Sequence, residues 1–258
     1  DRKNSKILKK WDLAKYLDVS RDDLNFFRNG DWLHMNALEF DDRDSTIIVS
    51  GRNQGLVKIS WDDQLKWIMS PKQNWGKSGR KGQGYDTKPF LLTPVDKKGK
   101  PYENDIQKGI KSTDEFDFPW APHAPSLLPN GNIIVFDNGP FRNYNNENNY
   151  SRAVEYQVNE TDKSFKQIWQ YGKERGEKLF SSIVSDVDYL PKTKNILMTS
   201  GFISPRNIHR AKIVEISPKD NKEVFEATIF FKSTNKGDKR GWGQTDILYR
   251  SERMELED

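Results

Sequence analysis

Apolar residues in this chain fall in short blocks and alternations and never hold a 3.6-residue period over a long stretch. That pattern argues against helices and for strands. Three segments follow one plan. The first opens at His34, with a strand through Leu38 and Phe40, a turn at Asp41–Thr46, and strands at Ile47–Ser50, Leu56–Trp61 and Leu65–Met69. The second opens at His123 and runs through Leu127 and Pro129, then Ile133–Phe136, Ala153–Val158 and Phe165–Gln170. The third opens near Ser185 and runs through Tyr189 and Pro191, then Ile196–Thr199, Lys212–Ile216 and Val224–Phe230. Four short antiparallel strands per unit, repeated at blade length, predict an all-β chain and a β-propeller.

The blade units lie at about 31–70, 121–172 and 181–231. A lone strand at Lys6–Leu13 precedes them and another, Thr245–Arg250, trails them, so the chain supplies about three and a half blades. Propellers close with about four to eight, and an open arc would leave sheet edges unpaired. The chain is therefore expected to be part of a closed propeller whose remaining blades lie upstream. Its start at Asp1, with no signal-peptide pattern, fits a trimmed beginning. Between the first two units, residues 71–122 form an insertion rich in Gly, Lys and Asp, of the kind that makes a lid or entrance.

Composition narrows the chemistry. The 42 basic and 38 acidic residues leave a net charge of +4, too mild for a nucleic-acid binder though suited to a small anion. The absence of cysteine excludes disulfides, thiolate metal sites and thiol nucleophiles within the chain. No run of about 18 apolar residues is present to span a membrane.

Aligning the units on their first strands puts His34, His123 and Ser185 at one position, with Leu38, Leu127 and Tyr189 four residues on. The innermost strands of a propeller line its channel, so such positions converge near the axis. Two of the 3 histidines share that position. Asn36 follows His34 by two residues and points to the same side of the strand. Arg52 follows the second strand, where the next unit has Asn138. Two imidazoles, an amide and a guanidinium suit a tetrahedral anion, since arginine offers forked donors to sulfate or phosphate oxygens. Histidines that cap their blades and an arginine in a blade-to-blade ion pair remain the structural alternative. Asp41, Asp42 and Asp44 lack the Gly and distal Glu of a calcium loop, and Gly82 and Gly84 precede no phosphate-binding helix. His209 falls outside the repeated position and is read as structural. No metal site is expected.

These residues carry a family resemblance. Asp31-Trp32-Leu33-His34-Met35-Asn36, followed by Ile48-Val49-Ser50-Gly51-Arg52, resembles the D-W-x-H-x-N … S-x-R pattern of bacterial arylsulfate sulfotransferases. Leu92-Thr93-Pro94-Val95-Asp96 with Gly99 resembles their L-T-P-x-D…G stretch. Trp120-Ala121-Pro122-His123 with Leu128-Pro129-Asn130-Gly131-Asn132 resembles their W-x-x-H segment, and Tyr171-Gly172-Lys173-Glu174-Arg175-Gly176 matches a further stretch.

The resemblance implies a six-bladed propeller behind a small N-terminal β domain, this chain being the latter part. It implies a periplasmic, homodimeric enzyme that needs no cofactor and moves a sulfuryl group from an aryl sulfate donor to a phenolic acceptor without a nucleotide donor. His123 corresponds to the histidine that is transiently sulfated, in a ping-pong scheme through a sulfohistidine. His34, Asn36 and Arg52 match residues that bind the sulfuryl oxygens or assist the leaving phenolate. The chain departs from the family pattern in three ways. A further family histidine lies upstream, Ala121-Pro122 stand where polar residues are usual, and Val184, flanked by Ser182 and Ser185, stands where a hydroxyl is expected. The alternatives are a non-catalytic propeller that binds a ligand or partner through its channel, and a lactonase-like hydrolase, whose channel carboxylates have no counterpart at the repeated positions.

Overall fold

A computed structural model describes residues 3–25, 30–205, 209–231 and 246–254. Among them the strands form three sheets. The first is an antiparallel meander of β1 (Met35–Asp41), β2 (Thr46–Gly51), β3 (Gly55–Ser60) and β4 (Leu65–Met69). The second orders β5 (Thr93–Pro94), β9 (Ser164–Tyr171), β8 (Arg152–Asn159), β7 (Ile133–Asp137) and β6 (Pro122–Leu127). Its short outer strand β5 comes from the insertion and runs parallel to β9. The third comprises β10 (Asp186–Leu190), β11 (Asn195–Ile203), β12 (Arg210–Ser217) and β13 (Lys222–Phe230). The chain is all-β with a few short helical turns.

The middle strands β2, β3 and β7 are buried on both faces along their whole length, as near-continuous apolar runs require. Ile48, Trp67 and Met69 of the first sheet pack against Val135, Val154 and Tyr156 of the second. Phe136, Ala153 and Tyr171 of the second pack against Met198, Val214 and Ile216 of the third. On the far face of the first sheet, Val49, Val57 and Ile68 meet Leu17, Trp75 and Leu91, so the N-terminal segment and the insertion cover it. The starts of β1, β6 and β10 thereby come together at one inner edge.

Two strand expectations are corrected. Lys6–Leu13 forms no strand: Ile7 and Leu8 are exposed and Leu13–Lys15 is a 3-10 turn capped by Asp12. Of Thr245–Arg250, Thr245 lies outside the described residues and the remainder is not a strand, although the Leu248 N–H bonds to the Gly201 carbonyl at 3.0 Å. No described helix is long and apolar enough to cross a membrane.

The sheet registers also realign the units. Met35 faces Gly51 as Pro122 faces Asp137, and Phe40 faces Ile47 as Leu127 faces Ile133. The Asn53 N–H bonds to the Leu33 carbonyl, and the Gly139 N–H bonds to the Trp120 carbonyl in the same way. His34 therefore corresponds to Ala121, and Asn36 to His123, two residues away from the sequence alignment. Left-handed backbone marks the shared position: φ is 48° at His34, 50° at Ala121 and 51° at Val184. The alignment slipped because apolar side chains repeat every second residue along a strand, so Leu127 matches Leu38 or Phe40 equally well by pattern.

Candidate transfer site

His123 lies where the three sheets meet. It is the second residue of β6 and only 5% exposed. The carbonyl of Pro122, just before it, accepts from Asn36 Nδ2 at 2.8 Å and from Ser50 Oγ at 2.9 Å, both on the first sheet. The imidazole is hydrogen-bonded to the backbone of Ser185, at the start of the third sheet.

On its own sheet a buried ion network fixes the approach to His123. Asp137 accepts from the Trp120 N–H at 2.9 Å, from Arg142 Nη2 at 3.0 Å and from Arg152 Nε at 2.8 Å. Asp117 accepts from Arg142 Nη1 at 2.7 Å. Two guanidiniums and two carboxylates satisfying one another can stay charged in the interior, where a lone charge could not.

Burial pushes the His123 imidazole down to about 4, and the Arg52 and His34 charges act in the same direction; the Ser185 hydrogen bond opposes them. The ring is therefore neutral at ordinary pH and keeps a nitrogen lone pair. Its buried Nδ1 has no hydrogen-bond partner among the described residues.

Arg52, 3% exposed, donates to the Ser182 carbonyl at 2.8 Å. Desolvation lowers it to about 10 and Asp31 opposes that, so it remains a cation in a poorly solvated place. His34 differs: its side chain is 44% exposed and its Nδ1 lies 2.7 Å from Asp31. Pairing Nδ1 with a carboxylate orients the ring and leaves Nε2 for chemistry. Asn36 spends one amide N–H on Pro122, and its buried Oδ1 is unpartnered.

The structure thus gathers His34, Asn36, Arg52 and His123, with Ser185 contributing its backbone to His123 while its hydroxyl bonds to Ser181 Oγ at 2.9 Å. Asn138, matched to Arg52, serves structure: its amide donates to the carbonyls of Ser181 and Val184. Sequence reasoning missed Ser50, Asp137 and Tyr249. Tyr249 meets His123 with ring centroids 5.4 Å apart and planes at 63°. Ser50 stands one residue before the end of β2 and was marked by the S-x-R resemblance alone, while Asp137 is the last residue of β7 and was marked only by that strand end. His209, read as structural, stacks on Phe202 with centroids 5.4 Å apart.

A family model described as Arylsulfotransferase (ASST) matches residues 1–239. The chain belongs to the arylsulfotransferase family. It is 36% identical over 195 residues to the arylsulfate sulfotransferase AssT of Lelliottia amnigena, covering 74% of this chain and 31% of that protein. It is 33% identical over 195 residues to the AssT of Escherichia coli O6:H1, with the same two shares, 74% and 31%. This arylsulfotransferase chain therefore spans about a third of the length of the curated relatives it matches.

Proposed function

We propose that this chain carries the transfer site of an aryl sulfotransferase. In this reading the three sheets are blades, at about 31–70, 121–172 and 181–231, of a six-bladed propeller completed by upstream sequence. The enzyme moves a sulfuryl group from an aryl sulfate to a phenol by a ping-pong route through His123. The observation that carries the reading is a buried, neutral imidazole beside a desolvated arginine and a second, exposed histidine.

In the first half-reaction a lone pair of His123 attacks the sulfur of the aryl sulfate. An N–S bond forms, the S–O bond to the ring breaks, and the leaving oxygen takes a proton from His34. In the second, the acceptor phenol returns a proton to His34 as its oxygen attacks sulfur and the N–S bond breaks. His34 ends each cycle as it began. Splitting one transfer into two through a side-chain nucleophile lowers each barrier, and a positioned imidazole supplies the proton steps. Arg52 and the second amide N–H of Asn36 face the sulfuryl oxygens, where fixed donors in a dry site act most strongly. These steps draw on side chains alone and call for no cofactor. A periplasmic setting, a homodimer and the remaining wall of the site belong to the same reading of the full-length protein.

Initial rates of the full-length protein with p-nitrophenyl sulfate and varied phenol test it. Parallel double-reciprocal lines are expected of a route in which the first product leaves before the acceptor reacts; intersecting lines contradict it.

A further inference from the structure

Residues 246–254 follow the last strand as a strap that is neither helix nor sheet among the described residues, yet it is tied closely to the third sheet. Besides the Leu248–Gly201 hydrogen bond, the hydroxyls of Ser251 and Thr199 meet, and Arg253 Nη1 lies 3.0 Å from both carboxylate oxygens of Glu215. The close approach depends on glycine: a Cβ on Gly201 would lie 1.8 Å from the Leu248 carbonyl oxygen. The residue after Leu248 is Tyr249, and this anchoring delivers its ring to His123. Tyr249 is 52% exposed while His123 is 5% exposed, so the tyrosine presents free ring surface beside a buried imidazole. It also lies beyond residue 239, where the family match ends.

We propose that Tyr249 is a specificity-determining residue of the transfer site, forming an aromatic wall against which the aryl ring of the sulfate donor rests while its sulfur faces His123. The inference rests on the transferase reading. The substrate's ring must lie close to His123 for its ester sulfur to be attacked, and Tyr249 is an exposed aromatic surface in contact with that imidazole. Aromatic pairs favour edge-to-face or offset arrangements at about 4.5–7 Å between centroids. The hydrogen-bonded strap fixes the wall in place, so little ordering is required when the ring arrives.

Steady-state and single-turnover kinetics of the full-length protein test the proposal with p-nitrophenyl sulfate and the larger 4-methylumbelliferyl sulfate as donors. A wall that holds ground state and transition state alike makes Tyr249→Ala raise KM about tenfold, with the single-turnover rate at saturation within about twofold of wild type. The larger donor loses more, and Tyr249→Phe recovers most of the affinity. Gly201→Ala, which drives the strap off β11, raises KM in the same direction. A fall in the saturating rate with KM unchanged would make Tyr249 a prop for His123 and overturn the proposal, as would no change in either constant. Those results leave the transferase reading intact, because wild type still turns over. Absence of wild-type turnover overturns both.

Discussion

His34 and His123 belong to one site and live in opposite surroundings. His34 stands at the surface with a carboxylate at 2.7 Å and room for its ring to meet solvent and substrate. His123 is enclosed by three sheets, stripped of water, and lowered to about 4 with a ring nitrogen unpartnered. In the proposed transfer the difference divides the labour. A group that must exchange protons needs access and an orienting partner, and His34 has both. A nucleophile that must keep its lone pair needs protection from protonation, which burial and a neighbouring guanidinium give His123.

Deleting one histidine and then the other breaks this comparison most sharply. His123→Ala is expected to remove more than about 10⁴-fold of kcat, because in the proposed route its nitrogen forms the bond to sulfur and no second nucleophile stands in its place among the described residues. His34→Ala is expected to cost about 10²–10⁴-fold. Its effect should shrink for donors whose phenolate leaves without a proton, so the comparison is read by plotting rate against leaving-group acidity. Arg52→Ala is expected to lower kcat by about 10²–10³-fold, as for loss of one donor to developing charge. It should also raise the His123 pKa, since Arg52 helps to depress it; the shift is read from the His123 resonance in an NMR titration.

The pH dependence sharpens the contrast further. With His123 at about 4 instead of 6.5, its neutral form persists down to about pH 4, so an acid limb near 6.5 should not trace to this residue. The unfolded chain binds the His123 proton over that interval and the folded one does not, so stability falls as pH drops from 6.5 toward 4. His123→Phe should flatten that part of a denaturation series. The smallest effect on His34 and a substantial one on His123 is expected from Asp137→Ala. It breaks the buried network that holds Trp120, at about 3–5 kcal/mol of stability in denaturant unfolding.

Much of this was legible in the sequence because sheets buried on both faces write themselves as apolar blocks between turns. The four-strand meanders of all three sheets fall where Ile47–Ser50, Ile133–Phe136 and Ile196–Thr199 and their neighbours indicated, while β5, added to the second sheet from the insertion, was not indicated. The same local signal misled at Lys6–Leu13, where Ile7 and Leu8 are exposed and none of the described strands pairs with them. It also could not fix the repeat register, which rests on ladder hydrogen bonds such as Met35 with Gly51, and not on composition. His34 and His123 stood out through a repeat alignment that the registers shift by two residues, Asn36 by its spacing from His34, and Arg52 by following the second strand of its unit. Asp117 and Arg142 did not: they are 25 residues apart in loops and meet only through tertiary packing. Tyr249 was invisible for a similar reason, since its place beside His123 depends on how closely Leu248 approaches Gly201.

The most direct test is intact-mass spectrometry of the full-length protein, quenched within seconds of mixing with p-nitrophenyl sulfate and no acceptor. The account requires a gain of one sulfuryl group that phenol discharges and that His123→Ala abolishes. An adduct that persists in His123→Ala, or transfer to phenol without any adduct, would contradict His123 as the nucleophile.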